Sequence, residues 1–319
     1  MSAHGTDRAW FEQKGRTEKL LTRARSLRAV RRFFDERDFL EVETPLAVPS
    51  PGLDLHLDAA RVDLVRAPRW LITSPEYQMK RLLSAGFSRI YQVCKCFRQN
   101  EEGSQHQPEF TMLEWYRAHA EFPALLAETE ELVAFVATDV LGSPRIRFRG
   151  HEVDLSPPWE RMTVREAFRK YANADADALL ADETEFYRVL VEQIEPELGR
   201  GKPTFLYGYP ASQASLARLD PHDPSVAERV EAYVEGVELS NGFGELTNAD
   251  EQRARLAADD AAREREGKPR YPVDERFLAA LESGIPPCVG NALGFDRLVM
   301  LLCDAASIED VVSFSNARL

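Results

Sequence analysis

Two arginines and three evenly spaced glutamates are the residues here best suited to chemistry. Arg98 closes an alternating apolar segment beside a polar turn, and Arg297 stands at the start of an apolar run after Gly294-Phe-Asp. A guanidinium offers a planar fork of N–H donors that matches phosphate or carboxylate oxygens, and it keeps its charge. Taken alone, either arginine reads better as half of a surface ion pair. Glu231, Glu238 and Glu245 recur at seven-residue intervals around Asn241-Gly-Phe-Gly. Carboxylates so close repel one another unless a cation joins them. Phosphate-bound magnesium takes one or two, which leaves another for a cationic substrate. An exposed acidic strand edge is the competing explanation. In the segment from Glu109 to Arg117, a period of two puts Phe110, Met112, Glu114 and Tyr116 on one face. Polar groups and a ring pointing the same way suit a pocket wall better than a core.

These residues need elements to hold them. Leu20, Ala24, Leu27, Val30 and Phe34 recur at helical spacing with arginines between, predicting an amphipathic helix over about 17–37. Arg23, Arg25, Arg28, Arg31 and Arg32 then read as its solvated face, with a basic patch as the alternative. A strand at Phe39-Leu-Glu-Val-Glu stops at Thr44-Pro45, and the prolines and glycine of 48–53 make a loop. Trp70-Leu-Ile-Thr-Ser-Pro reads as a short strand entering a helix near Glu76. Segments 89–98 and 109–117 read as paired strands joined by a polar turn. Residues 123–200 read as mostly helical. Strands resume at Thr204 and continue through Leu246, a charged helix spans Ala249 to Glu266, and Gly290-Asn-Ala-Leu-Gly reads as a strand feeding a last helix. This dispersal, without regular βαβ alternation, points to an α+β fold built on an antiparallel sheet flanked by helices. Neither Gly-rich phosphate-loop pattern is present.

The bulk numbers are those of an enzyme-sized globular chain of 319 residues, 44% hydrophobic and 29% charged. No apolar leader or membrane-length apolar stretch appears, so the expected location is the cytosol. The four cysteines read as reduced core residues. A formal net charge of −13 opposes the phosphate-neutralising term that dominates nucleic-acid affinity, so tRNA is a disfavoured partner.

Phe97-Arg98 through His106-Gln-Pro-Glu-Phe-Thr-Met-Leu-Glu-Trp-Tyr116 resembles motif 2 of the class II aminoacyl-tRNA synthetases in the lysyl form. Gly290-Asn-Ala-Leu-Gly-Phe-Asp-Arg-Leu298 resembles motif 3. The first helix with Phe39-Leu-Glu-Val-Glu-Thr-Pro45 resembles motif 1, the family's dimer interface. Within that group the sequence is most similar to the short paralogues that join a lysine-type amino acid to elongation factor P. Ala292 in place of a usual glycine and the segment Pro210-Ala-Ser-Gln-Ala-Ser-Leu-Ala217 carry that similarity.

The resemblance implies a flexible tip (1–16), a catalytic domain (17–319) without an anticodon-binding OB domain, and a homodimer. It also implies ATP and Mg²⁺ as cofactors, lysine or (R)-β-lysine as substrate, and elongation factor P as acceptor. By position, Arg98 would hold the α-phosphate and substrate carboxylate, Phe110 would stack on adenine, and His106 and Arg297 would meet the other phosphates. Glu231 and Glu238 would hold magnesium. Asn100, Glu101, Gln107, Leu239 and Gly294 complete the expected ATP site. Ser74, Glu76, Glu114, Tyr116, Asn241, Glu245 and Ala292 form the expected amino-acid site. Asn100 stands where the motif carries Glu, and Gln107 where it carries Asn, so the adenine contact shifts toward Glu101 or backbone. A truncated lysyl-tRNA synthetase, a free-amino-acid ligase and a non-catalytic regulatory paralogue are the competing functions.

Overall fold

A computed structural model describes residues 7–64 and 67–319. Its strands are β1 (Leu40–Glu41), β2 (Ala47–Val48), β3 (Arg61–Asp63), β4 (Pro68–Leu71), β5 (Arg89–Phe97), β6 (Glu109–Ala118), β7 (Arg145–Phe148), β8 (His151–Asp154), β9 (Glu160–Thr163), β10 (Thr204–Pro210), β11 (Val226–Val234), β12 (Val237–Gly244) and β13 (Cys288–Gly294). Its helices are α1 (Asp7–Glu12), α2 (Arg16–Asp35), α3 (Glu76–Ser84), α4 (Phe122–Leu141), α5 (Val164–Ala167), α6 (Ala176–Leu179), α7 (Glu183–Val189), α8 (Ala249–Arg265), α9 (Glu275–Gly284) and α10 (Phe295–Leu302).

One large sheet organises the molecule, in the order β1-β5-β6-β13-β12-β11-β10-β9. Its six inner strands pair antiparallel, as the sequence predicts, whereas β1/β5 and β9/β10 pair parallel at the two edges. Parallel neighbours need long crossovers, and the segments 42–88 and 164–203 supply them.

The two faces of this sheet differ in chemistry. On one, Tyr91, Leu113, Trp115, Val289 and Leu293 pack under α2, α4 and α10 in the main core. On the other, Gln92, Glu114, Ala292, Asn241 and Glu231 stand side by side across five successive strands. The side-chain period of two makes this division possible, since each strand sends alternate residues to the core and to the site. Cluster Tyr77, Leu83, Leu256, Phe277, Leu278 and Leu281 closes the site side from α3, α8 and α9, with Tyr77 and Phe277 stacked at 4.3 Å.

Several sequence expectations shift. Segment 123–200 is mostly helical, but β7, β8 and β9 interrupt it between 145 and 163, where Ile146, Phe148 and Val153 alternate with charged residues. In α2 the buried stripe is Ser26, Ala29, Val30, Phe33 and Phe34, with Ala24 exposed. Arg23 consequently faces inward, 2.5 Å from buried Asp296, instead of joining the solvated face. Residues 1–6 of the expected tip lie outside the described residues. Residues 7–12 form α1, where Phe11 packs edge-on to Phe314, and Arg16 at the start of α2 pairs with buried Asp310 at 2.7 Å.

Candidate active site

A cavity of about 990 Å³ opens on the polar face of the sheet, walled by the 50–57 loop, the start of α3, the β5–β6 turn and strands β12 and β13. Arg263 of α8 anchors that loop by donating to the carbonyls of Asp54 and Leu57 and to the Asp58 carboxylate.

At one end of the cavity stand the two arginines. Arg98 ends just past β5, lies over the Phe110 ring at 5.1 Å and is 3.8 Å from Glu101. Its buried Nε–H has no partner among the described residues, an omission that costs stability unless a ligand acceptor meets it. Arg297 sits in the first turn of α10, which is pinned by Asp296: that carboxylate accepts from the Thr111 backbone at 2.7 Å and pairs with Arg23. Arg297 donates to the Glu238 carbonyl at 2.7 Å and carboxylate at 3.1 Å, and lies 2.7 Å from His106 Nε2. Burial and the neighbouring Arg297 hold the His106 imidazole below its usual range, so it is neutral and accepts that bond. Burial would push Glu238 up, but Arg297 and Arg98 outweigh it and hold the carboxyl below its usual range.

Other expected ATP residues divide. Glu101, Gln107, Leu239 and Gly294 line the cavity. Gln107 also accepts from the Asn316 backbone, tying the C-terminal segment to the turn. Asn100 occupies an exposed left-handed turn at φ 67° and does not line the cavity. Asn tolerates that conformation better than Glu, a physical reason for its presence there.

The middle of the row is Glu231, whose two oxygens accept from four donors: Tyr209, Tyr233, Arg229 and Asn241. That nearly saturates a carboxylate. Arg229, Tyr209 and Tyr233 were not singled out from the sequence, although Arg229-Val-Glu231-Ala-Tyr233 alternates as one strand face should. A strict period of two would send Glu238 and Asn241 to opposite faces. A bulge opposite Ala232 and Tyr233 inserts Leu239 and brings both to the site.

At the far end, Ser74, Glu76, Asn241 and Ala292 line the cavity, while Glu114, Tyr116 and Glu245 lie out of contact with it at 1%, 3% and 1% exposure. Glu114 accepts from Ser74 and from Tyr116, both at 2.7 Å. Burial, reinforced by Glu76, pushes its carboxyl up to about 8. Burial raises Glu245 to about 7 although Lys80 opposes it. Lys80, absent from the sequence-derived site, is fully buried and pairs with Glu76 at 2.6 Å and Glu245 at 2.5 Å. Burial works against its charge, yet the two carboxylates keep it protonated. The Glu76–Lys80 spacing of one helical turn was the available signal. Gly290 permits this packing, since a Cβ there would lie 2.3 Å from Tyr116 and 2.4 Å from Glu245.

The model of the tRNA synthetases class II (D, K and N) matches residues 8–318. The chain belongs to the class II tRNA synthetase family. Among proteins similar to this class II chain is one from Proteus mirabilis, 44% identical over 306 residues, covering 92% of this chain and 94% of its own. Another, from Pectobacterium carotovorum, is 43% identical over 311 residues, with 94% and 95% covered. A third, from Salmonella gallinarum, is 42% identical over 326 residues, with 98% and 99% covered. All three are named elongation factor P--(R)-beta-lysine ligase. With ligase relatives along nearly its whole length, this synthetase-family chain is an enzyme of the ligase type. Among the described residues no helix is long and apolar enough to cross a membrane.

Proposed function

We propose that the enzyme activates a diamino acid, lysine or (R)-β-lysine, with ATP and transfers it to a lysine side chain of elongation factor P. The observation that carries this reading is one cavity with an Arg98 donor, partnerless among the described residues, at one end and Glu76 at the other, with Glu114 and Glu245 buried behind the wall there. The first group suits a phosphate, the second an ammonium. Names of the relatives support the choice of acceptor, and the net charge of −13 favours a protein over tRNA.

Arg98 binds the α-phosphate and the substrate carboxylate together, which fixes the attacking oxygen opposite the leaving pyrophosphate. That oxygen bonds to the α-phosphorus, the bond to the bridging oxygen breaks, and pyrophosphate leaves against Arg297. Phe110 offers its ring to adenine, and neutral His106 with Gly294 borders the phosphate path. Magnesium, when bound, neutralises phosphate charge. Glu238, part-exposed and facing the cavity, suits it as a ligand; Glu231 would have to give up one of its four donors, of which the Asn241 bond at 3.2 Å is the longest. In the transfer step a neutral acceptor amine attacks the acyl carbon, AMP leaves with the bonding electrons, and the amine sheds a proton.

ATP–pyrophosphate exchange with α-lysine, (R)-β-lysine, ornithine and no amino acid tests activation. Mass measurement on elongation factor P and on bulk tRNA then tests transfer. Exchange driven by a lysine isomer with mass gain on the protein alone is the expected result. Charged tRNA would instead make this a tRNA synthetase, and no exchange with any amine would leave a non-catalytic paralogue. We also propose a homodimer through α2, which leaves Leu21, Arg25 and Arg28 exposed, as does Leu40 after it; a monomer by light scattering at micromolar concentration would refute it.

A further inference from the structure

Resting on the diamino-acid reading above, we infer that Lys80 is a resident counter-ion that sets the amino-acid pocket at two net negative charges, the complement of a substrate with two ammonium groups. Three carboxylates, Glu76, Glu114 and Glu245, gather at this end of the cavity. Among the described residues Lys80 is the one ammonium group paired with them, 2.6 Å from Glu76 and 2.5 Å from Glu245. It is 1% exposed, lies 6.0 Å from the Phe277 ring, and does not line the cavity. Lys80 therefore sits in the wall and leaves the cavity itself free for substrate.

With every group ionised, three negative charges and one positive leave two. A diammonium amino acid neutralises them, while its carboxylate points away toward Arg98. Without Lys80 the same substrate would leave one buried carboxylate unmatched, and an unmatched buried charge is expensive. Lys80 also joins Glu76 to Glu245, so these two carboxylates are held at a constant separation. It is a positioning residue and touches no reacting atom.

This assignment makes a prediction of opposite sign to a merely structural role. Glu245→Gln leaves one net negative charge in the pocket, and removing Lys80 as well restores two. Calorimetric titration of L-lysine and (R)-β-lysine into the full-length protein should show Glu245→Gln weakening binding about 100-fold. The double variant Lys80→Met/Glu245→Gln should regain at least about tenfold of that loss, one unmatched charge being relieved. ATP affinity, read on the same proteins, should stay unchanged. A double variant binding no better than Glu245→Gln overturns the inference. Should that double variant not fold, Lys80→Gln/Glu245→Gln keeps a neutral hydrogen-bonding pair and is judged by the same criterion. Failure of wild-type protein to bind either diamine would instead overturn the diamino-acid reading and take this inference with it.

Discussion

The phosphate end and the amine end of one cavity solve the problem of holding charge in opposite ways. At the phosphate end the cations Arg98 and Arg297 remain 25% and 14% exposed, and burial cannot discharge a guanidinium. At the amine end the carboxylates Glu114 and Glu245 are about 1% exposed, with only Glu76 reaching 15%, and burial pushes the first two toward neutrality before any substrate arrives. The first end is therefore ready-charged and open to screening. The second is governed by protons and by packing.

The largest test of that contrast is removal of an arginine. Arg297→Ala should lower the exchange rate by about 10³, with lysine binding by calorimetry changed less than about threefold. Parallel loss of lysine binding would mean that the two ends are not separable. Next, Gly290→Ala forces a Cβ into Tyr116 and Glu245. It should cost about 1–3 kcal/mol of stability and raise the KM for lysine about tenfold while leaving the KM for ATP alone. An unchanged lysine KM in a destabilised protein would detach Tyr116 and Glu245 from substrate recognition.

The pH dependence is a smaller effect with a definite sign. The folded Glu114 carboxyl sits near 8 against an ordinary 4.5, so the substrate-free protein is most stable below about 4.5 with respect to this group and loses that contribution as pH rises to 8. Over the same window, ionised Glu114 becomes available to an ammonium, so lysine should bind more tightly. Thermal melts from pH 5 to 8 should show lysine flattening the decline, and Glu114→Gln should remove the difference. Smallest of all, raising salt from about 0.05 M to about 0.5 M should weaken ATP binding about threefold and lysine binding less than twofold. Equal salt sensitivity would erase the distinction between open and buried ends.

Arg98, Arg297, Glu114, Tyr116 and Glu245 were legible in the sequence because chemical type and strand alternation survive in one dimension. So was the order of the main elements from 89 to 118 and, apart from α9, from 204 to 302, where long apolar alternation and helix caps leave strong local signals. The short strands between 145 and 163 were lost among charged residues, and the inward turn of Arg23 depends on Asp296, far along the chain.

What the sequence determined by itself is the set of charged groups and, on regularly alternating strands such as β6, the face that carries them, since both follow from residue type and a local period. The seven-residue recurrence of Glu231, Glu238 and Glu245 is not a strand period. Only the β11–β12 hairpin and the bulge at Leu239 bring those carboxylates to one side. Burial, too, was a tertiary decision. Lys80 reads as an ordinary helical lysine until α3 presses it between Glu76 and Glu245, and the low dielectric there turns an ion pair into a determinant of which substrate charge fits.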